Sequence, residues 1–150
     1  MAQQAPRPFI TCHVLETVAG RPAANMAVSL TLISPTPSSA SNNATFTATT
    51  NSDGRVTAWS PSPSSSSSSS STTRTTTTTT LEATIEDAKK QLGNEEQMVW
   101  SIRFQTGEFY GAGKTFWPEV ELRFFTALTE LHYHVPLLLG PWSYTTYRGS

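Results

Sequence analysis

The sequence predicts an all-β sandwich, and three observations carry that reading. Short runs rich in β-branched and aromatic residues recur along the chain. Clusters of Gly, Pro, Asn, Asp and Ser separate them. Only one stretch shows clear helical spacing. Seven or eight strands with turn signals between them are the pattern of two packed sheets.

Residues 9–18 (FITCHVLETV) read as the first strand, closed by the turn signal Ala19-Gly20-Arg21-Pro22. Side chains alternate across a strand, so Ile10, Cys12 and Val14 share one face. Phe9, Thr11, His13 and Leu15 share the other. Residues 26–33 form a second strand with Met26, Val28, Leu30 and Leu32 on its apolar face. Residues 44–50 form a weaker third. Asn51-Ser52-Asp53-Gly54 is a turn, with Gly54 suited to positive φ. Residues 55–59 return to strand.

A low-complexity block follows at residues 60–80, with 10 Ser and 8 Thr in 21 positions. It has too little apolar surface to offset the entropy of ordering, so it is expected to be disordered. Leu81, Ile85, Ala88 and Leu92 are then spaced for one short helix over 81–92. Strands are expected at 98–106, 119–126, 130–139 and 142–148. Gly140-Pro141 joins the last two, and 107–113 is a Gly- and aromatic-rich connection with room for a short helix.

The composition excludes several functions. Ten basic and 11 acidic side chains give a net charge of −1, so no charge excess points to nucleic acid or a membrane surface. Hydrophobic residues are 37% and charged residues 14%. Both are low because 43 of the 150 residues are Ser or Thr. Cys12 is the only cysteine, which excludes an intrachain disulfide and a Cys-based zinc site. The first 16 residues lack a signal-peptide pattern, and no apolar run is long enough to span a bilayer. The expected compartment is the cytoplasm, with the peroxisome as alternative, although the chain does not end in Ser-Lys-Leu.

Chemistry concentrates in a few side chains. His132 and His134 lie two apart on one strand, hence on one face with Pro136 and Leu138. Tyr133, Val135, Leu137 and Leu139 form the opposite, core face. The histidine face is neither fully polar nor fully apolar, as expected of a surface around a wet cavity against another subunit. Taken alone, His-x-His is more often two surface histidines, and a metal pair is a further alternative. His13 comes from a separate strand, Arg55 follows a tight turn, and Tyr147 lies near the terminus. There is no phosphate-binding Gly loop, no Gly-x-Ser-x-Gly elbow and no protease-like Cys–His pairing.

Several segments together resemble the 5-hydroxyisourate hydrolases, the urate-pathway branch of the transthyretin family. They are His13-Val14-Leu15-Glu16-Thr17, Gly20-Arg21-Pro22-Ala23-Ala24 and Thr50-Asn51-Ser52-Asp53-Gly54-Arg55. The strongest runs from His132-Tyr133-His134-Val135-Pro136 to the terminal Tyr147-Arg148-Gly149-Ser150. That terminus and the paired imidazoles distinguish the hydrolases from the hormone carriers. Glu16 stands where the family usually has Asp, and Gly140 where it often has Ser. The resemblance covers residues 9–59 and 98–150, leaving 60–97 as an insertion in a single domain of residues 1–150.

The resemblance implies a transthyretin-like sandwich of two four-stranded sheets, with one short helix and the Ser/Thr-rich insert. It implies a homotetramer, a dimer of dimers with active sites at the interface between dimers. The implied reaction is hydrolysis of the cyclic amide of 5-hydroxyisourate, a step of purine degradation, with no metal or cofactor. The implied catalytic residues are His13, Arg55, His134 and Ser150. Those expected to bind substrate are His13, Arg55, Tyr147 and His132. Two rivals are a non-catalytic carrier using the same channel for a small ligand and an interaction domain whose Ser/Thr tract is the working part. A carrier is expected to lack the imidazoles and the Tyr-Arg-Gly-Ser terminus.

Overall fold

A computed structural model describes residues 7–36, 43–62, 79–93 and 97–150. The expected disorder of the Ser/Thr block falls mostly on 63–78, outside the described residues. The strands are β1 (Ile10–Glu16), β2 (Arg21–Pro22), β3 (Ala27–Ser34), β4 (Thr45–Thr49), β5 (Arg55–Val56) and β6 (Ser60–Pro61). After helix α1 (Leu81–Leu92) come β7 (Gln97–Phe104), helix α2 (Thr106–Tyr110), β8 (Val120–Ala127), β9 (Tyr133–Leu139) and β10 (Tyr144–Thr146).

One sheet runs β10-β9-β1-β2, with β5 also paired to β1; the other runs β6-β4-β3-β7-β8. Each sheet therefore has five strands among the described residues rather than the four expected. The difference lies in two-residue strands (β2, β5 and β6), too short to give a periodic signal. A second short helix, α2, occupies the Gly- and aromatic-rich connection.

The core fills the space between the sheets as the alternation predicts. Ile10, Cys12 and Val14 from β1 and Val135, Leu137 and Leu139 from β9 meet Val28, Leu30, Leu32, Trp100 and Ile102. Trp100 is fully buried and satisfies its indole N–H by donating to Thr126 Oγ1 at 3.1 Å. Burial pushes the Cys12 thiol up to about 12, so it packs as a small hydrophobe rather than serving as a nucleophile.

Residues 55–59 are not one strand. Arg55–Val56 pairs with β1, while Ser60–Pro61 pairs with β4 in the other sheet. The chain crosses between sheets at 57–59, where the Trp59 indole N–H donates to the Ile10 carbonyl at 2.7 Å. The low-complexity block is thus ordered at both margins: Ser60–Pro61 sits in a ladder, and Thr80 caps α1 by accepting from Ala83 N at 3.2 Å.

Two features aim the site. First, β1 and β9 pair in parallel, from Ile10 opposite Tyr133 to Glu16 opposite Leu139. Second, the turn after Asn51 delivers Arg55 opposite His13. Gly54 in that turn has φ 71°, and its carbonyl accepts from Val14 N at 2.8 Å. A Cβ there would enter the Val14 carbonyl oxygen. Gly54→Ala is expected to cost at least about 1–2 kcal/mol from the left-handed backbone alone. Chemical denaturation checks this; an unchanged midpoint would remove the claim.

Glu16 ties β1 to the following turn and to α2. Its carboxylate accepts from Ala19 N at 2.5 Å and from the Tyr110 hydroxyl at 2.8 Å. Burial alone would raise its pKa, but these bonds outweigh burial and hold it below the usual range. The stabilisation is present above the unfolded carboxylate pKa and is lost as pH falls through the lower folded value.

Candidate active site

Period two and the parallel register place the candidate side chains on the outer face of the first sheet. Thr11 and His13 project there from β1, His134 from β9, and Arg55 from β5. Thr11 lies level with His134, and His13 level with Pro136. The His13 and His134 ring centroids are 6.5 Å apart, with the rings tilted by 38°. Both imidazoles are half-buried, while Arg55 is exposed.

The Asn51 side chain builds the turn that carries Arg55. Its Oδ1 accepts from Asp53 N at 3.0 Å and Arg55 N at 2.9 Å, and its backbone N–H donates to the Arg55 carbonyl. Sequence reasoning placed the turn but missed this clamp. The available signal was Asn at the first turn position, whose side chain can mimic a backbone turn.

His134 is held on several sides. Its Nδ1 lies 2.8 Å from Thr11 Oγ1, and its carbonyl accepts from Gly149 N at 2.9 Å. That last bond forms an isolated antiparallel bridge, so the terminus runs back beside β9. Gly149 permits the approach. A Cβ there would stand 2.6 Å from His134 Cδ2 and 3.1 Å from the His134 carbonyl oxygen. The glycine of the terminal Tyr-Arg-Gly-Ser is thus explained by contact with an imidazole.

A cavity of about 580 Å³ opens beside His134, lined also by Tyr147, Arg148, Tyr133, Glu130 and Phe125. His13 and Arg55 do not line it; they meet His134 across the face of the sheet. Arg148 is drawn aside, 3.1 Å from Glu130 and 5.2 Å over the Tyr133 ring. Tyr147 is exposed at the cavity, and Ser150, also exposed, follows Gly149 directly. His132 is engaged at both ring nitrogens: Nδ1 lies 2.9 Å from the Pro8 carbonyl and Nε2 lies 3.3 Å from Thr11 Oγ1.

Burial and neighbouring positive charge favour the neutral form of the two facing imidazoles. Burial lowers the His134 pKa first, then the charges of Arg55, His13, His132 and Arg7. Burial and Arg55 likewise lower His13, against a weaker opposing pull from a hydrogen bond to the Asp53 backbone and from the Asp53 charge. Both lie below the ordinary 6.5. NMR titration is expected to show both midpoints below that value, with Arg55→Gln moving both upward. Midpoints at or above it would contradict the geometry. Among the described residues, no group of three or more His, Cys, Asp or Glu is placed to hold a metal ion.

Two imidazoles, a guanidinium and residues 147–150 gather on one outer face of the two-sheet β-sandwich, a candidate site on a transthyretin-like fold. Residues 10–149 match the model of the HIUase/Transthyretin family, and the chain belongs to that family. It is 34% identical over 157 aligned residues to the probable 5-hydroxyisourate hydrolase of Schizosaccharomyces pombe, covering 100% of both chains. Its fold is similar to that of 5-hydroxyisourate hydrolase from Klebsiella pneumoniae (TM-score 0.57, 18% identity, 94% of this chain and 98% of that one). It is also similar to that of transthyretin from Sparus aurata (TM-score 0.61, 18% identity, 95% and 97%). The fold is therefore common to an enzyme and a protein of another name, and function must be argued from the site.

Proposed function

We propose that this protein hydrolyses 5-hydroxyisourate to 2-oxo-4-hydroxy-4-carboxy-5-ureidoimidazoline, a step of urate degradation. The observation that carries this reading is the pair of imidazoles 6.5 Å apart, flanked by Arg55. Full-length similarity to the fission-yeast protein supports it. His134 takes a proton from water as the water oxygen bonds to the amide carbonyl carbon. The carbonyl becomes an oxyanion, which the Arg55 guanidinium stabilises. Collapse of that intermediate breaks the carbon–nitrogen bond, and imidazolium, with His13 assisting, returns the proton to the leaving nitrogen. Tyr147 and Ser150 hold the substrate from the terminal side.

Hydrolysis needs a neutral base, so the rate falls as pH drops through the base's pKa. Because that pKa is lowered, the acid limb of kcat/KM is expected below 6.5. The decisive assay generates 5-hydroxyisourate in situ with urate oxidase and follows its decay by absorbance. Decay no faster with the protein than without it overturns the enzymatic reading.

A homotetramer, built as a dimer of dimers, belongs to the same proposal. One edge of each sheet is formed by β10 and β8, whose outer sides are unpaired among the described residues. Phe125, Trp142 and Tyr144 are exposed on or beside them. Light scattering that gives a monomer would refute the assembly.

A further inference from the structure

The hydrogen bonds behind His134 form a directional chain, and its direction can be read from one end. A carbonyl oxygen can only accept, so at 2.9 Å from the Pro8 carbonyl His132 Nδ1 carries the proton. In a neutral imidazole this leaves His132 Nε2 as the acceptor. Among the described residues, the hydrogen on that side is the Thr11 hydroxyl, 3.3 Å away. Once Thr11 donates to His132, its oxygen offers lone pairs alone to His134 Nδ1 at 2.8 Å, so that nitrogen must donate. The proton of neutral His134 is then on Nδ1, and Nε2 bears the lone pair. No other group among the described residues bonds to that Nε2.

We propose that Thr11 and His132 are positioning residues that set the tautomer of His134, leaving Nε2 as the nitrogen able to accept a proton. This rests on the hydrolase reading for its consequence but not for its geometry. Neither residue needs to touch substrate. Thr11 is buried, so water cannot easily replace the bond it makes. Ring orientation and tautomer are fixed together, as when a hydrogen-bonding partner orients a histidine from behind. The arrangement also gives His132 a role other than direct substrate contact.

The test reads the tautomer directly, by heteronuclear NMR of the imidazole nitrogens in the intact protein at neutral pH. Wild-type His134 is expected to be protonated at Nδ1. Thr11→Val is expected to shift the population toward the Nε2-protonated form. His132→Phe should do the same by a different route, because the freed Thr11 hydroxyl can then donate to His134 Nδ1. Thr11→Ser, which keeps the hydroxyl, should restore the wild-type tautomer. In the decay assay both disruptive variants should lower kcat by about 10- to 100-fold, the scale seen when partners behind a histidine are removed in metal sites. KM should change little, and Thr11→Ser should recover the rate.

Nε2 protonation in the wild type overturns the proposal, as does a tautomer that neither disruptive variant alters. If the wild type is protonated at Nδ1, and the variants shift it, but no hydrolysis is seen, the relay stands and the hydrolase reading falls. The two failures are therefore distinguishable.

Discussion

His134→Gln is expected to lower kcat/KM for 5-hydroxyisourate hydrolysis by about 10²–10⁴-fold, the usual contribution of a positioned acid–base group. Glutamine roughly keeps the length and can still bond to Thr11, but it has no lone-pair nitrogen that accepts a proton near neutral pH. The side chain is only half-buried and faces outward from the sheet, so the core beneath it is undisturbed. Circular dichroism should be unchanged while initial rates collapse. A wild-type rate in this variant would remove His134 from the mechanism. Retained secondary structure with lost activity would separate chemistry from folding.

Gly149→Val is expected to be nearly as damaging, although glycine has no chemistry of its own. A Cβ at residue 149 would sit 2.6 Å from His134 Cδ2 and 3.1 Å from Pro136 Cγ. Either the imidazole moves or the terminus lifts from β9, breaking the 2.9 Å bond from Gly149 N to the His134 carbonyl. The first result misplaces the base. The second carries away Tyr147 and Ser150. Misplacement of about 1 Å can cost roughly 10²-fold in rate, and a loss of that order is expected here. Kinetics together with the histidine NMR signals of the variant check it. Unperturbed His134 resonances and a wild-type rate would show that the contact is not limiting.

Much of the sandwich was legible from alternation alone. Val28, Leu30 and Leu32, with Met26 just before the strand, predicted the inner face of β3, and all four are buried. The tripeptide His132-Tyr133-His134 carried its own face assignment, with Tyr133 in the core and both imidazoles outside. Local periodicity is strong where one face is apolar, because burial penalises the wrong register. It fails for two-residue strands and where the chain changes sheets, as between Arg55 and Ser60. There the outcome depends on an anchor such as Trp59 reaching the Ile10 carbonyl, which no window of sequence contains.

The site divides in the same way. Residue types and the terminal Tyr147-Arg148-Gly149-Ser150 supplied the candidate groups. The class of fold, the outward direction of the histidines and the stock of imidazole, guanidinium and phenol can be read along the chain. These follow from side-chain alternation and composition, which are local properties. Which of them meet depends on pairing between distant segments. The parallel pairing of β1 with β9 sets Thr11 beside His134. The Asn51 turn sets Arg55 opposite His13. The return of the chain end sets Gly149 against an imidazole ring. Each joins segments far apart in the chain, so its energy comes from long-range hydrogen bonding and packing that spacing does not encode.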